Sequence, residues 1–525
     1  MMVTGILKRG EYFDSVSLML IAKKISELEI VLDSAAVMGT PENKSMLQTS
    51  GLLTDELQNA SDMDLMIAYK CNSQNESDLI SKKINELFKK SDNTNKSSGS
   101  LNPSSLESAI KILPDANLAM ISVAGKYAGD EAMKALKNGL NVILFSDNVS
   151  IEKEIELKNF AKEKGLFVMG PDCGTAIING VPLAFANVVN RGNIGIVAAS
   201  GTGLQEVSCL ISNSGCGIFQ AIGTGGRDVK KEVGGIMFLE GIKALAEDKN
   251  TEVILLVSKP PADEVIIKII ELVNKIEKPV VGVFLNASIE LLKQSKINIA
   301  RTLEEGAMLA VVHSRKENIG KVYDDLESQF SELQTIAGKE SAKLNKTQKY
   351  VRALFSGGTF CDETQMFFQH IDEDVFSNTP VGKVKKLKDI WKSEKHTIID
   401  LGDDEFTVGK PHPMIDYSTR NKRILAETND PETAVILLDI VLGYGSNMNP
   451  LAEIVPVIKE VKELTLQQKR HLPIVCSVTG TDKDPQNRTT VAAALKAEGV
   501  LVMESNAAAS KLAKFLIERR VKRNE

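Results

Sequence analysis

Four apolar segments in the middle of the chain recur, in the same order, in its last third. NIGIVAASGTGLQE (193–206) parallels YVRALFSGGTFCDE (350–363), and GIFQAIGTGGRD (217–228) parallels HTIIDLGDDEF (396–406). TEVILLVSKPPADE (251–264) parallels TAVILLDIVLGYGSN (433–447), and KPVVGVFLNAS (278–288) parallels LPIVCSVTGTDKD (472–484). Each copy reads strand, glycine turn, helix, strand, glycine turn, helix, strand, strand. The runs are β-rich and apolar on both faces, and segments such as ADEVIIKIIELVNKIE between them carry helical spacing. That combination predicts a parallel sheet covered on both sides by helices. A matched order of four segments predicts two related domains.

Three further apolar runs, NLAMISVAG (117–125), NVILFSD (141–147) and GLFVMG (165–170), precede the first copy and predict a smaller unit of the same class. Two polar stretches punctuate the chain. SDNTNKSSGSLNPSSL (91–106) has almost no apolar content, and SELQTIAGKESAKLNKTQK (331–349) is poor in large apolar residues. The expected organisation is an α/β chain with parallel sheets: an N-terminal α/β module (1–90), a Rossmann-like domain (107–189), and two flavodoxin-like domains (190–330 and 348–525).

Composition removes several function classes. Over 525 residues, Lys+Arg 63 against Asp+Glu 69 gives a net charge of −6. That balance argues against nucleic-acid binding, which wants a basic stripe. No run approaches the roughly 18 apolar residues of a membrane span, and Lys8, Arg9 and Glu11 interrupt any leader-like core. The six cysteines form no paired C-x-x-C set with histidines, which disfavours a metal site and points to reduced thiols in a cytoplasmic protein.

The glycine turns carry the chemistry. Ser200-Gly201-Thr202-Gly203 follows a strand and opens a helix, where backbone N–H groups and the helix dipole favour an anion. Ser356-Gly357-Gly358-Thr359 repeats it. Gly225-Gly226-Arg227 forms a second glycine turn before an expected helical stretch at 229–233, with Arg227 free to clamp an anion. Its counterpart is Asp400-Leu401-Gly402-Asp403-Asp404, followed by Gly409-Lys410-Pro411-His412-Pro413. His412, stiffened between two prolines, could be a phosphoryl-accepting nucleophile, a general acid/base or an anion ligand. Asp403, Asp404 and Glu405 read as a solvated acidic loop, and Cys173 in Gly170-Pro171-Asp172-Cys173 as a turn residue.

The strings GLFVMGPDCGTAIINGVPLAFANV, NIGIVAASGTGLQE, AIGTGGRD, SKPPADE and DLGDDEFTVGKPHPMID together resemble the FdrA family. So do RGEYFDSVSLM (9–19) and MGTPENKSML (38–47). That family is similar in turn to succinyl-CoA synthetase, with the middle of the chain resembling its α subunit and the last third the ligase domain of its β subunit. The resemblance implies a CoA-binding-type domain at 107–189 followed by two ligase domains. It implies helix N-termini after Gly225-Gly226 and after Gly402-Asp403 facing a phosphohistidine, with Glu206 positioning it. Three departures follow. KPVVGVFLNASIELLKQSKINIA (278–300) lacks the synthetase histidine, no ATP-grasp domain is present, and no dinucleotide-type glycine loop precedes the ligase domains. The expectation is therefore phosphate as co-substrate, CoA left open and no nucleotide site in this chain. The family implies transfer of a carbamoyl or acyl group, as oxamate carbamoyltransferase in allantoin breakdown, with two partner subunits and a separate kinase. The competing readings are an acyl-CoA synthetase with an ATP-grasp partner and a non-catalytic metabolite-binding regulator.

Overall fold

The computed structural model describes residues 1–11, 13, 15–95, 103, 105–287, 289–371, 373–407 and 410–524. The two repeats form two seven-stranded sheets with one internal order. In the first, strands Asn298–Ala300, Val280–Phe284, Val253–Ser258, Ile194–Ala199 and Ile218–Gly223 lie side by side and parallel. In the second, Leu501–Met503, Ile474–Thr479, Thr433–Val441, Tyr350–Phe355 and His396–Asp400 take the same places. This is the flavodoxin-like order 2-1-3-4-5, and all four segment pairs seen in the sequence fall on equivalent strands. Strands such as Val253–Ser258 are buried along their whole length, as a sheet covered on both faces requires. Burying one such Leu or Val side chain stabilises by roughly 1.5–3 kcal/mol. A single apolar cluster runs through both sheets, joining Val257 and Leu303 of the first repeat to Phe360 and Leu512 of the second.

Each sheet is lengthened at its second-strand edge, by the antiparallel pair Thr175–Ile178 and Val181–Ala184 in the first and by Val375–Ser377 and Lys385–Lys386 in the second. Before them, Leu118–Ile121, Asn141–Leu144 and Val168–Met169 make a three-stranded parallel sheet flanked by helices Gly125–Lys137 and Ile151–Lys164. The leading residues form an antiparallel sheet, Met2–Lys8, Leu65–Cys71 and Asp33–Met38, with helices Ser15–Ser26 and Gln74–Asn95 on one face. This unit is tied down at two points. Lys23 Nζ donates to the Ile415 carbonyl at 2.9 Å and pairs with Glu453 at 2.6 Å. Asp62 pairs with Lys126 and accepts from the Tyr127 hydroxyl at 3.5 Å.

Two sequence expectations need correction. The stretch 331–349 is no loop: helix Gly320–Ser341 runs through most of it, burying Leu333 and Ala337 in the shared apolar cluster, which also includes Leu512 and Leu516 of helix Asn506–Asn524. Its few apolar residues sit on one helical stripe, which an overall polarity count conceals. The stretch 229–233 is turn, and the helix begins at Ile236, because Gly234 and Gly235 hold φ of 75° and 76°. Of the stretch 91–106, residues up to 95 continue helix Gln74–Asn95 and Leu106 starts helix Leu106–Ile112, while 96–102 and 104 lie outside the described residues. Among the described residues no helix is long and apolar enough to cross a membrane.

Candidate functional site

Ligands of open parallel sheets collect at the carboxyl ends of the strands, and here those ends of the two repeats meet. The two first-strand turns interlock. Ser200 Oγ lies 2.6 Å from Thr359 Oγ1, and the Thr359 N–H donates to Thr202 Oγ1 at 3.4 Å. Gly357 permits the approach: a Cβ there would stand 2.8 Å from Thr202 Cγ2. Ser200 also caps helix Gly201–Asn213 by accepting from the Gly203 N–H at 3.2 Å. The second turn differs. Asp439, wholly buried, accepts from the Ser356 N–H at 2.8 Å, the Ser356 hydroxyl at 2.7 Å and the Gly357 N–H at 3.1 Å. The anion-compatible turn expected at Ser356-Gly357-Gly358 thus already carries a carboxylate of the chain itself.

Beside the turns stand a lysine, two aspartates and the histidine. Lys259 Nζ, reaching across from the first repeat, pairs with Asp362 at 2.8 Å. Burial would lower Lys259, but Asp362 and Asp400 hold its ammonium above the usual range. Asp400 is buried, and desolvation pushes its carboxyl to about 7 against the opposing pull of Lys259. Gly358 and Gly402 are required by closeness: a Cβ on Gly358 would meet Asp400 Oδ2 at 2.5 Å, and one on Gly402 would meet His412 Nε2 at 2.6 Å. His412 therefore lies directly on the Gly402 turn. Its Nδ1 accepts the Met414 N–H at 3.2 Å, and desolvation pushes its pKa down to about 4. A neutral imidazole whose Nδ1 is an acceptor carries its proton on Nε2. On that tautomer the Nε2 proton faces the Gly402 turn.

The other expected residues are deployed differently. Gly225 and Gly226 turn the chain, but Arg227 is already engaged, donating to the Val149 carbonyl at 2.8 Å and pairing with Glu154 at 2.9 Å. The helix end beyond them is closed from within. Asp228 accepts from the N–H groups of Met237 at 3.3 Å and Phe238 at 2.7 Å, and pairs with buried Lys158 at 2.8 Å. The element after Gly402-Asp403 is a single turn, Asp404–Thr407, whose N-terminal Glu405 N–H is taken by Asp403 at 3.1 Å. Neither helix end offers the phosphate seat the resemblance implied. Gly409 lies outside the described residues.

Glu206 has a partner role that spacing could not reveal. Its carboxylate accepts from Thr479 Oγ1 at 2.5 Å and from the Asn506 N–H at 2.9 Å, at the start of the last helix of the second repeat. Its counterpart Glu363 accepts from the Leu303 N–H at 2.8 Å, at the start of the last helix of the first repeat, and from Asn506 Nδ2 at 2.8 Å. Each repeat thus supplies the acidic residue at the head of the other's final helix. Lys259 and Asp439 escaped the sequence reading too. Their signal was position, at or near the carboxyl end of a central strand.

Comparison with known proteins places these features in a family. A model described as CoA-ligase matches residues 354–516, one described as CoA binding domain matches 189–285, and one described as AllF, heavy metal-associated domain matches 1–103. "Uncharacterized protein YahF" of Escherichia coli (strain K12) is 44% identical over 521 residues, covering 98% of this chain and 99% of that protein. Succinate–CoA ligase [ADP-forming] subunit alpha 2 of Archaeoglobus fulgidus is 29% identical over 173 residues, covering 32% of this chain and 58% of that subunit. Among solved structures, PH0766 from Pyrococcus horikoshii aligns over 81% of this chain and 88% of its own, at 16% identity and a TM-score of 0.34.

The segment matched as heavy metal-associated does not have the ligands of a heavy-metal site. Residues 1–103 hold no histidine and a single cysteine, Cys71, which is buried and donates to the Ser73 carbonyl at 3.5 Å. A soft metal wants paired thiolates or imidazoles, so this segment does not suit one, and among the described residues no cluster does. For an anionic carrier such as CoA, the Ser122 hydroxyl is out of solvent without a partner, at the turn between strand Leu118–Ile121 and helix Gly125–Lys137. An orphaned donor beside a helix start suits a phosphate group.

Proposed function

This chain belongs to the family of Escherichia coli YahF, with CoA-binding and CoA-ligase domains, and from that premise we propose that it is an FdrA-type subunit transferring a carbamoyl or acyl group to or from phosphate. The favoured reaction is that of an oxamate carbamoyltransferase of allantoin breakdown, working with two partner subunits in the cytoplasm. The observation that carries this reading is the seam itself: Gly201 is exposed at its turn, Lys259 lies beside Gly358 of the facing turn, and His412 lies on the Gly402 turn.

In this reading phosphate sits on the Ser200-Gly201-Thr202 turn with Lys259 as its counter-charge. A phosphate oxygen attacks the carbamoyl carbon of an oxamate-type donor. The C–N bond to the leaving oxamate nitrogen breaks, and that nitrogen takes up a proton. His412 Nε2–H stabilises the carbonyl oxygen as negative charge develops on it. Asp400, with a carboxyl at about 7, is protonated often enough near neutrality to serve the leaving nitrogen. Where CoA is the acyl carrier, it supplies a thiol, and Ser122 and Gly125 would hold its phosphates.

The test combines the chain, its partner subunits, inorganic phosphate and the carbamoyl donor, with carbamoyl phosphate read through ATP formation by carbamate kinase. Product is expected, turnover falls at least tenfold in His412→Asn, and no acid-labile phosphate accumulates on the protein. Failure to form product with every subunit present refutes the reading. CoA-dependent ATP consumption with an ATP-grasp partner would favour acyl-CoA synthesis instead.

A further inference from the structure

In each repeat, the chain after the second strand is fastened by a lysine from a preceding unit. In the first, Lys158 of helix Ile151–Lys164 donates to the Thr224 carbonyl at 3.0 Å and pairs with Asp228 at 2.8 Å. In the second, Lys23 of helix Ser15–Ser26 donates to the Ile415 carbonyl at 2.9 Å and pairs with Glu453 at 2.6 Å. The turn that Lys23 fastens is the one that carries His412. The His412 carbonyl accepts from the Ile415 N–H at 2.8 Å and the Asp416 N–H at 3.1 Å, and the Met414 N–H reaches His412 Nδ1 at 3.2 Å. Three outside holds keep that turn in place. The Met414 carbonyl accepts the Asn447 N–H at 2.8 Å, the Ile415 carbonyl accepts Lys23, and the Tyr417 N–H donates to Glu453 Oε2 at 2.9 Å. Glu453 Oε1 accepts from Lys23 and, at 2.7 Å, from Asn447 Nδ2. Lys23 and Glu453 therefore join all three holds in one network. Their side chains are 16% and 27% exposed, so a carboxylate deprived of its lysine there is poorly compensated by water.

We propose that Lys23 is a positioning residue for His412, and that the N-terminal unit thereby completes the site of the second repeat. Its effect on turnover rests on the carbamoyl- or acyl-transfer reading, whereas its effect on the imidazole does not. Lys23 touches no reacting atom. It holds the Ile415 carbonyl and the Glu453 carboxylate so that Met414 presents its N–H to Nδ1, which keeps the imidazole proton on Nε2, facing the Gly402 turn. Without the ammonium the turn relaxes, the Met414 N–H leaves Nδ1, and the proton divides between the two ring nitrogens. A donor displaced in this way weakens transition-state stabilisation more than substrate binding.

Nitrogen-15 magnetic resonance of the histidine-labelled full chain tests the imidazole directly, with the His412 signals identified by their loss in His412→Asn. The unsubstituted protein should show a protonated Nε2 and a bare Nδ1. In Lys23→Met the two His412 shifts should move towards each other, while those of His396, buried and bonded to the Val351 N–H, stay in place as a check on the fold. Lys23→Arg, whose guanidinium can donate to the same two oxygens, should restore them. With the partner subunits, phosphate and the carbamoyl donor, Lys23→Met should lower kcat about tenfold or more with KM little changed, and Lys23→Arg should recover most of it. Glu453→Gln, which weakens the same network from its other side, should displace the same His412 signals and decides the matter if Lys23→Met does not fold. The proposal is overturned by unchanged His412 shifts in folded Lys23→Met or, failing that variant, in folded Glu453→Gln, and equally by full turnover alongside displaced shifts. If the unsubstituted assembly makes no product, the transfer reading falls and the spectra still decide the positioning role.

Discussion

Glu206→Gln should make the protein more stable in mild alkali and leave it nearly unchanged in mild acid. Glu206 is 2% exposed, and desolvation pushes its carboxyl to about 7 from an ordinary value of 4.5, against the hydrogen bonds from Thr479 and Asn506. A folded protein that binds this proton more tightly than the unfolded chain has the stabilisation in full below pH 4.5 and loses it as pH rises through 7. At about 1.4 kcal/mol per tenfold, the loss reaches about 3 kcal/mol. Glutamine keeps the geometry. Its carbonyl can accept the Asn506 N–H, and its amide can donate to Thr479 Oγ1 once that hydroxyl, which donates to Glu206 in the structure, turns its proton away. Glu363 is also pushed to about 7, chiefly by burial and in part by the Glu206 charge, so removing that charge relieves Glu363 as well and adds to the gain in alkali. Urea denaturation followed by far-ultraviolet circular dichroism at pH 5, 6.5 and 8 measures it. The variant should match the unsubstituted protein at pH 5 and exceed it by about 3 kcal/mol or more at pH 8. A difference that stays constant across this range, or grows towards acid, would refute the reasoning.

Other substitutions probe the remaining features. Lys158→Met removes the buried ammonium that pairs with Glu154 at 2.7 Å and Asp228 at 2.8 Å; unfolding should be easier by about 3–5 kcal/mol, and adding Asp228→Asn should recover part of that. Gly402→Ala drives a methyl into His412 Nε2 and against the Ser356 carbonyl oxygen at 2.9 Å, so the imidazole and the turn must both shift; turnover should fall as it does in His412→Asn, and the melting temperature should fall with it. Lys23→Met cuts the N-terminal unit from the Ile415 carbonyl, and hydrogen exchange at residues 414–417 should accelerate at least tenfold while that of strand Thr433–Val441 stays unchanged.

Much of the fold could be read because parallel, doubly covered strands are apolar throughout, and two copies of that pattern reinforce each other. The turns at Ser200 and Ser356 were legible for the same reason: glycine after a buried strand marks a close approach. What escaped depended on partners distant in sequence. Arg227 read as an anion clamp, yet Glu154, 73 residues upstream, takes it. Ser356 read as an open turn, yet Asp439 from another strand fills it. Helix Gly320–Ser341 read as a break because its apolar stripe is narrow. The proton position on His412 follows from one backbone N–H, at Met414, which no residue spacing encodes.

The exchange of acidic residues between the final helices bears on how such a chain could be divided. Each last helix has a cap of its own, Thr302 or Ser505, but its first N–H is taken from across the seam, Leu303 by Glu363 and Asn506 by Glu206. Helix Gly320–Ser341, which links the repeats in sequence, shares its apolar cluster with the last helix of the second. A cut between residues 342 and 348 would therefore release no independent half. Two separately encoded polypeptides, one for each repeat, would have to find each other to finish folding, and a gene split at that point would behave as an obligate heterodimer.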